Sequence, residues 1–183
     1  MSGWHNITSF GGTKYQCGYC GLIVAGDRGF PHNRGSWGIV ICPSCDKPSF
    51  FEGNSQTPGI VPGSEVAHVP NDLNDLYREA RNCCAVGAYT ASVLASRKML
   101  MNIAVTQGAA EGLKFIEYVN YLTTNGYVPP HGKGWVDHIR KKGNEATHEI
   151  TTMQSADAEE LLVFIEMLLK FIYEFPARVP SSP

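Results

Sequence analysis

The feature that most constrains this chain is a pair of Cys-x-x-Cys motifs near its N-terminus. The first motif, CGYC, contains Cys17 and Cys20, and the second, CPSC, contains Cys42 and Cys45. Two thiolates separated by two residues can bind one metal ion, and a second such pair completes a tetrahedral set of four sulfur ligands. The spacing predicts a structural zinc site, because four cysteines leave no open coordination position for catalysis.

The residues around these cysteines predict a small β zinc ribbon over residues 1–52. Short β-type runs flank the motifs: GLIV follows the first, WGIVIC leads into the second and PSFFE leaves it. Two disulfides are the alternative, but the first residues lack a signal-peptide pattern, which favours a reducing, cytoplasmic location. His5 and His32 could serve as spare ligands, but we expect them to be exposed loop histidines. The ribbon would recognise nucleic acid or a partner protein, and Trp4, His5 and Arg34 are loose candidates for that contact.

After the ribbon, the sequence predicts a linker over residues 53–70, an all-α bundle of roughly five helices over residues 71–177, and a tail over residues 178–183. The linker is rich in Gly, Pro and Ser, whereas the bundle has helical periodicity. The first predicted helix, NDLNDLYREARNCC, places Leu73, Leu76, Tyr77, Ala80 and Cys84 on one face. The others are AYTASVLASRKMLMNIAV, GLKFIEYVNYLTTNG, WVDHIRKK and DAEELLVFIEMLLKFIYEF, of which the last ends at Pro176.

The charge of the chain limits how it can bind nucleic acid. The formal net charge is -2, and zinc bound by four thiolates takes it to about -4. Nucleic-acid binding therefore needs a local basic patch. No apolar run approaches the roughly 20 residues that cross a bilayer, so we expect no membrane partner.

The stretch RKKGNEATHE, residues 140–149, is a candidate for that patch. Arg140, Lys141 and Lys142 are cationic, and His148 can take or give a proton near neutral pH. Asn144 could hold a phosphate oxygen or the histidine tautomer. The alternative is a solvated helix face, in which Asn144 caps a helix and His148 bonds to a backbone carbonyl.

Four more cations are predicted on the neighbouring helices. Arg78, Arg81, Arg97 and Lys98 would either extend a basic groove or form a solvated surface.

These motifs together resemble domain-of-unknown-function family 4145, over about residues 68–176. The resemblance rests on the segment DLNDLYREARNCCAVGAYTASVLASRKMLMNIAV and on HIRKKGNEATHE, with the ribbon as a common companion. That family occurs beside or fused to restriction endonucleases and other prokaryotic defence proteins. It is in turn similar to the HEPN superfamily of helical bundles, many of which are metal-independent ribonucleases that act as dimers.

The resemblance implies a HEPN-like homodimer that engages nucleic acid, chiefly RNA. The HEPN motif is an Arg, a polar residue, three more positions and a His, and its last two named positions fall on Asn144 and His148. Its Arg position falls on Gly143, so that Arg140, Lys141 or Lys142 would supply the cation. His148 would then be the acid or base of RNA cleavage. The second hypothesis is a non-catalytic module that docks onto a larger defence complex, which Gly143 favours.

Overall fold

The computed structural model describes residues 3–32, 37–128, 139 and 152–179 of the chain. The chain forms two compact units. The first consists of Met1–Val61 with Ala85–Gly87, and the second consists of Pro62–Cys84 with Ala88–Pro183.

The first unit is built on a five-stranded antiparallel sheet. Its strands follow one another in chain order, so that each pairs with the next. They are β1 (Thr8–Gln16), β2 (Ile23–Pro31), β3 (Trp37–Ile41), β4 (Pro48–Glu52) and β5 (Ser55–Thr57). The fifth strand extends the sheet into the segment that the sequence analysis placed in the linker.

The core of the first unit is small. Tyr15, Val40 and two of the cysteines are buried, and Phe51 packs against them with its ring edge-on to Tyr15 at a centroid distance of 5.1 Å. Gly26 makes this packing possible, because a Cβ there would lie 2.4 Å from the Val40 side chain. A core of this size buries too little apolar surface to stabilise a domain alone.

The second unit is helical. Its helices are α1 (Asn71–Ala85), α2 (Tyr89–Thr106), α3 (Phe115–Thr124) and α4 (Ser155–Leu169). After α4 the chain stays helical through a π-helical turn, Lys170–Glu174, and a short segment, α5 (Phe175–Arg178). None of the helices in the described ranges is both long and apolar enough to span a membrane.

Helix α2 is the centre of this unit and packs against α3 and α4. It buries residues over much of its circumference, including Val93, Met99, Leu100 and Ile103, as its nearly continuous apolar sequence predicts. Ile139 is also helical and buried in this core.

The predicted fold class, a small ribbon followed by roughly five helices, is wrong. The β part is a five-stranded sheet over residues 8–57, and four helices of ten or more residues, α1 to α4, follow it in the parts that the structure describes. Strand β5, SQT, carries no apolar pattern, so its place in the sheet is set by pairing with β4. The fourth predicted helix, WVDHIRKK, lies outside the described residues apart from Ile139.

The predicted helix end at Pro176 is also wrong. The π-helical turn replaces the α-helical hydrogen bonds directly before this proline, which stands in the first turn of α5. A proline there is tolerated, because its missing N–H would have no partner within that turn.

Candidate functional site

The sheet topology brings the two Cys-x-x-Cys motifs to the same end of the first unit. Cys17 and Cys20 lie in the connection from β1 to β2, and Cys42 and Cys45 lie in the connection from β3 to β4. In an antiparallel sheet whose strands follow one another in chain order, every second connection lies at the same end of the strands. The two motifs are therefore close in space although they lie 25 residues apart in the sequence.

The two connections have the same backbone structure. In the first, the Cys17 N–H donates to the Leu22 carbonyl at 2.9 Å and the Gly21 N–H donates to the Cys17 carbonyl at 2.9 Å. In the second, the equivalent bonds join Cys42 to Lys47 and Asp46 to Cys42, each at 3.0 Å. The residue after each second cysteine, Gly21 or Asp46, has positive φ. The fold thus repeats one metal-binding turn twice.

The four sulfur atoms form a compact group. The Cys17 and Cys45 sulfurs are 3.7 Å apart and the Cys20 and Cys42 sulfurs are 3.9 Å apart, and all four lie within 4.8 Å of one another. A tetrahedral ion with metal–sulfur bonds of about 2.3 Å requires sulfurs about 3.8 Å apart. A disulfide requires about 2.05 Å. The geometry therefore fits one shared metal ion and excludes two disulfides.

The backbone around the second motif favours a thiolate. Burial acts to raise the pKa of the Cys42 thiol, but the N–H groups of Cys45 and Ser44 outweigh it and bring this pKa to about 7. Burial and the neighbouring thiols raise the pKa of Cys45 to about 12. Four thiols this close cannot all ionise without a cation, so metal binding must release protons.

The cysteines are the whole ligand set in the described part of the chain. Neither His5 nor His32 belongs to the cluster, and both are exposed, as expected of loop histidines. Trp4, a loose candidate for partner contacts, instead donates its indole N–H to the Asp46 carbonyl at 2.9 Å. Arg28 pairs with the Asp46 carboxylate at 3.2 Å. Both contacts hold the second turn in place, and Arg34 lies outside the described residues.

The last helix of the second unit carries an exposed apolar surface. Val163, Met167, Phe171 and Phe175 follow one another at intervals of four residues, and we call this row the 163–175 stripe. Val163, Phe171 and Phe175 are 48%, 51% and 43% exposed. The two phenylalanine rings contact each other edge-on at 5.4 Å. The stripe lines a shallow cavity of about 310 Å³, together with Glu166 and Lys170.

A buried arginine fixes the segment that precedes the helices. Arg81 is almost fully buried, with its side chain 8% exposed. Its guanidinium donates to the Pro62 carbonyl at 2.7 Å, to the Gly63 carbonyl at 3.0 Å and to the Glu65 carboxylate at 2.7 Å. We call residues 62–67 the clamped segment. A buried charge is stable only with such partners, so this cation has a structural role.

The clamped segment is also held by three other side chains of the helical unit. The Tyr77 hydroxyl donates to the Ser64 carbonyl at 3.1 Å, and Glu166 accepts from the Ser64 N–H at 3.0 Å. Glu174 is buried and accepts from the Ala67 N–H at 3.1 Å. Helix α1 and the last helix therefore bind the same short segment from two sides.

The comparison with family models gives a match in this helical part of the chain. The model described as domain of unknown function (DUF4145) matches residues 78–182, which is more than half of the chain. The chain belongs to the DUF4145 family. Comparisons with curated proteins and with solved structures give no match.

The DUF4145 match contains Arg81 and the 163–175 stripe, whereas the four cysteines precede it. Sequence reasoning missed the role of Arg81, although YREA and the arginine after it were among the motifs that carried the resemblance. The signal that could have revealed the clamp is the four-residue spacing of Tyr77 and Arg81, which places both on one helix face. The stripe has an equally regular spacing.

The other three cations that the sequence predicted on neighbouring helices have acidic or aromatic neighbours in the described residues. Arg78 pairs with Glu65 at 3.5 Å, and the Arg97 guanidinium lies 4.0 Å from the centroid of the Phe115 ring. Lys98 is exposed beside a cavity of about 430 Å³ whose other charged residues are acidic. These are Asp72, Asp75 and Glu79.

The predicted catalytic and nucleic-acid-binding residues lie outside the described residues. They are Arg140, Lys141, Lys142, Asn144 and His148, with Gly143 at the position of the missing arginine. Their assignment stays a prediction.

Proposed function

We propose that the protein is a non-catalytic interaction module, in which zinc stabilises the five-stranded unit and the helical DUF4145 domain binds another protein through its last helix. The family resemblance implies a setting beside prokaryotic defence proteins, and the proposal includes that setting. The observation that carries the proposal is the exposed 163–175 stripe.

The stripe has the composition and position of a protein-binding surface. Two phenylalanines and a methionine stand in one row, and these residue types are enriched where proteins meet. The buried face of α4 consists mainly of other residues, including Leu161, Leu162, Ile165 and Leu168. Met167 still packs partly against this core, but Val163, Phe171 and Phe175 are exposed, and leaving such apolar surface in water is unfavourable. Contiguous exposed apolar surface of this kind marks interaction sites.

Zinc is the metal that fits the four cysteines best. A set of four soft thiolates in a tetrahedron selects zinc over the hard cations that prefer oxygen ligands. The sulfur separations of 3.7 and 3.9 Å match the tetrahedral requirement. When bound, the metal closes the coordination shell with protein ligands and joins the two turns. Its contribution is to stability.

A second candidate is the metal-independent ribonuclease that the HEPN resemblance implies. It is favoured by the match of the DUF4145 family across residues 140–149. In that case His148 would transfer the proton, Asn144 would orient it or the phosphate, and Arg140 with Lys141 or Lys142 would balance the phosphate charge. The RNA would be cleaved in a cleft shared by two subunits.

One assay separates the two candidates. Wild-type protein and His148→Ala, purified in parallel, are incubated with a mixed RNA substrate with and without EDTA, and the zinc content is measured after each incubation. We expect both proteins to be equally inert. EDTA-resistant cleavage that leaves cyclic-phosphate ends and is absent from His148→Ala would overturn the non-catalytic proposal in favour of the ribonuclease.

A further inference from the structure

The helical unit holds the clamped segment in the way that proteins hold a bound peptide. Five backbone groups of this segment bond to side chains of the helices. They are the carbonyls of Pro62, Gly63 and Ser64 and the N–H groups of Ser64 and Ala67. The side chains that bind them are Tyr77 and Arg81 of α1 and Glu166 and Glu174 of the last helix. We call these four side chains the clamp site. In peptide recognition, bonds to the main chain give affinity and contacts with a few side chains give specificity.

The clamp site leaves no room for a side chain at Gly63. This residue has a φ of +72°, a conformation that glycine adopts far more readily than other residues. A Cβ here would also lie 2.7 Å from a carboxylate oxygen of Glu166 and 2.9 Å from the Tyr77 hydroxyl. The site therefore requires glycine at this position.

The next positions are also selective. The Glu65 carboxylate pairs with Arg81 at 2.7 Å and with Arg78 at 3.5 Å, so the site favours an acidic residue here. Val66 is buried and belongs to the apolar core, which favours an apolar residue. The peptide that fits the clamp site thus has the pattern glycine, any residue, acidic, apolar.

The clamped segment lies at the surface and covers mainly polar groups. Four of its six residues are exposed, and Val66 is the one that is buried. Tyr77, Arg81 and Glu174 are buried where it binds, and water can solvate their polar atoms when the segment lifts. Opening therefore exposes little apolar surface beyond Val66. Segments with few buried apolar contacts are the ones that open most readily in folded proteins.

We propose that the clamp site is a binding site for an extended peptide of this pattern, and that the clamped segment occupies it as an intramolecular ligand. The external ligand is a segment of another protein that carries glycine, an acidic residue and an apolar residue at the same spacing. This inference goes beyond the proposed function, because the ligand binds where the clamped segment lies and not on the 163–175 stripe. A tethered segment has an effective concentration on the order of millimolar, so the wild-type site is mostly closed to a free peptide.

A variant whose own segment cannot bind tests the proposal. In the full chain, Gly63→Ala introduces the clash with Glu166 and Tyr77 and should release the clamped segment. The probe is a fluorescein-labelled peptide with the sequence of residues 60–69, IVPGSEVAHV, and binding is measured by fluorescence anisotropy. We expect Gly63→Ala to bind it with a Kd in the micromolar range, at least tenfold more tightly than the wild type.

Gly53→Ala is the matched control. Gly53 also has positive φ, but a Cβ there meets no atom within 4 Å. This variant has the same kind of backbone strain without a clash at the clamp site, and it should bind the peptide as weakly as the wild type. Circular dichroism at 222 nm shows whether each variant keeps its helices.

A second variant, Glu65→Lys, should release the segment by charge. It places a cation opposite Arg78 and Arg81 at an exposed residue and leaves the core unchanged, so it should bind the same peptide at least tenfold more tightly than the wild type. A peptide with alanine at the position of Gly63 should bind both released variants at least tenfold more weakly. If neither released variant binds IVPGSEVAHV more tightly than the wild type, or if the glycine and alanine peptides bind equally well, the inference is overturned.

Discussion

Replacing Arg81 by methionine tests whether the clamp is a main source of stability in the helical unit. Methionine fills a similar volume without the charge, so the change removes the three donors and leaves the α1 helix intact. It leaves the Pro62 and Gly63 carbonyls without their charged partner. The Glu65 carboxylate loses Arg81 but keeps its ion pair with Arg78. Because Gly63 and Glu65 are exposed, water can satisfy part of what is lost.

The magnitude follows from these contacts. Hydrogen bonds to a charged group contribute about 1.5–3 kcal/mol each, and partial exposure places the two carbonyl bonds at the lower end, about 3 kcal/mol together. The Glu65 pair adds about 0.5 kcal/mol, because this carboxylate is 62% exposed. Burial of the methionine side chain recovers about 1 kcal/mol. The free energy of unfolding should therefore fall by about 2–3 kcal/mol.

Arg78→Met is the matched control, because Arg78 pairs with the same carboxylate from three positions earlier in α1. Its 3.5 Å ion pair is exposed on both sides, so its loss should cost less than about 1 kcal/mol. Urea unfolding followed by circular dichroism at 222 nm reports the helices. With a slope of about 2 kcal/mol/M, the midpoint of Arg81→Met should fall by about 1–1.5 M. If the two variants differ by less than about 0.5 kcal/mol, the reasoning about the clamp is refuted.

Three further predictions concern the metal site and the last helix. Gly18→Ala would place a Cβ 2.4 and 2.5 Å from two backbone carbonyl oxygens, so the affinity of the site for zinc, measured by competition with a chelator, should be about tenfold weaker. Gly12→Ala is the control, because its Cβ lies in open space, and it should bind zinc like the wild type. Equal affinities of the two variants would contradict the close packing at Gly18. Removal of the metal should change the fluorescence of Trp4, whereas the circular dichroism at 222 nm should persist, because the helical core is stable without the metal. Loss of the circular dichroism signal together with the fluorescence change would show that the metal stabilises the helices as well. Burial acts to raise the pKa of Glu166, but Lys170 and a backbone N–H hold this pKa below its usual range. The ionised carboxylate therefore stabilises the fold at pH values above the ordinary glutamate pKa, and this contribution is lost as the pH falls below about 4. Glu166→Gln should weaken this acid dependence, and unchanged acid unfolding would argue against it.

Local patterns predicted the metal site and much of the helical core. The spacing of Cys17 and Cys20 and of Cys42 and Cys45 required two matching turns, and the proximity of the four sulfurs confirms it. Periodicity placed five residues on one face of α1, of which four are buried and Leu76 is half-buried; the four are Leu73, Tyr77, Ala80 and Cys84. These predictions succeed because a ligand motif and a helix face are determined within a few residues.

Other features could not be predicted in this way, because they depend on partners far away in the chain. Strand β5 has no pattern of its own and exists by pairing with β4. Arg81 has the sequence of a solvated cation, and only the approach of the clamped segment turns it into a buried one. After α4 the chain stays helical past the expected stop, because the π-helical turn leads into α5 and Pro176 stands in the first turn of α5.

The sequence by itself determined which groups can bind a metal and which faces of the helices are apolar, since both are properties of side-chain type and short spacing. Tertiary structure decided how these groups are used. Antiparallel pairing of the strands brought the two cysteine turns together, and packing of the helices left the 163–175 stripe exposed while other apolar residues of α4 were buried. The physical reason is that burial and hydrogen bonding depend on the neighbours that the whole fold supplies, and a linear pattern does not contain them.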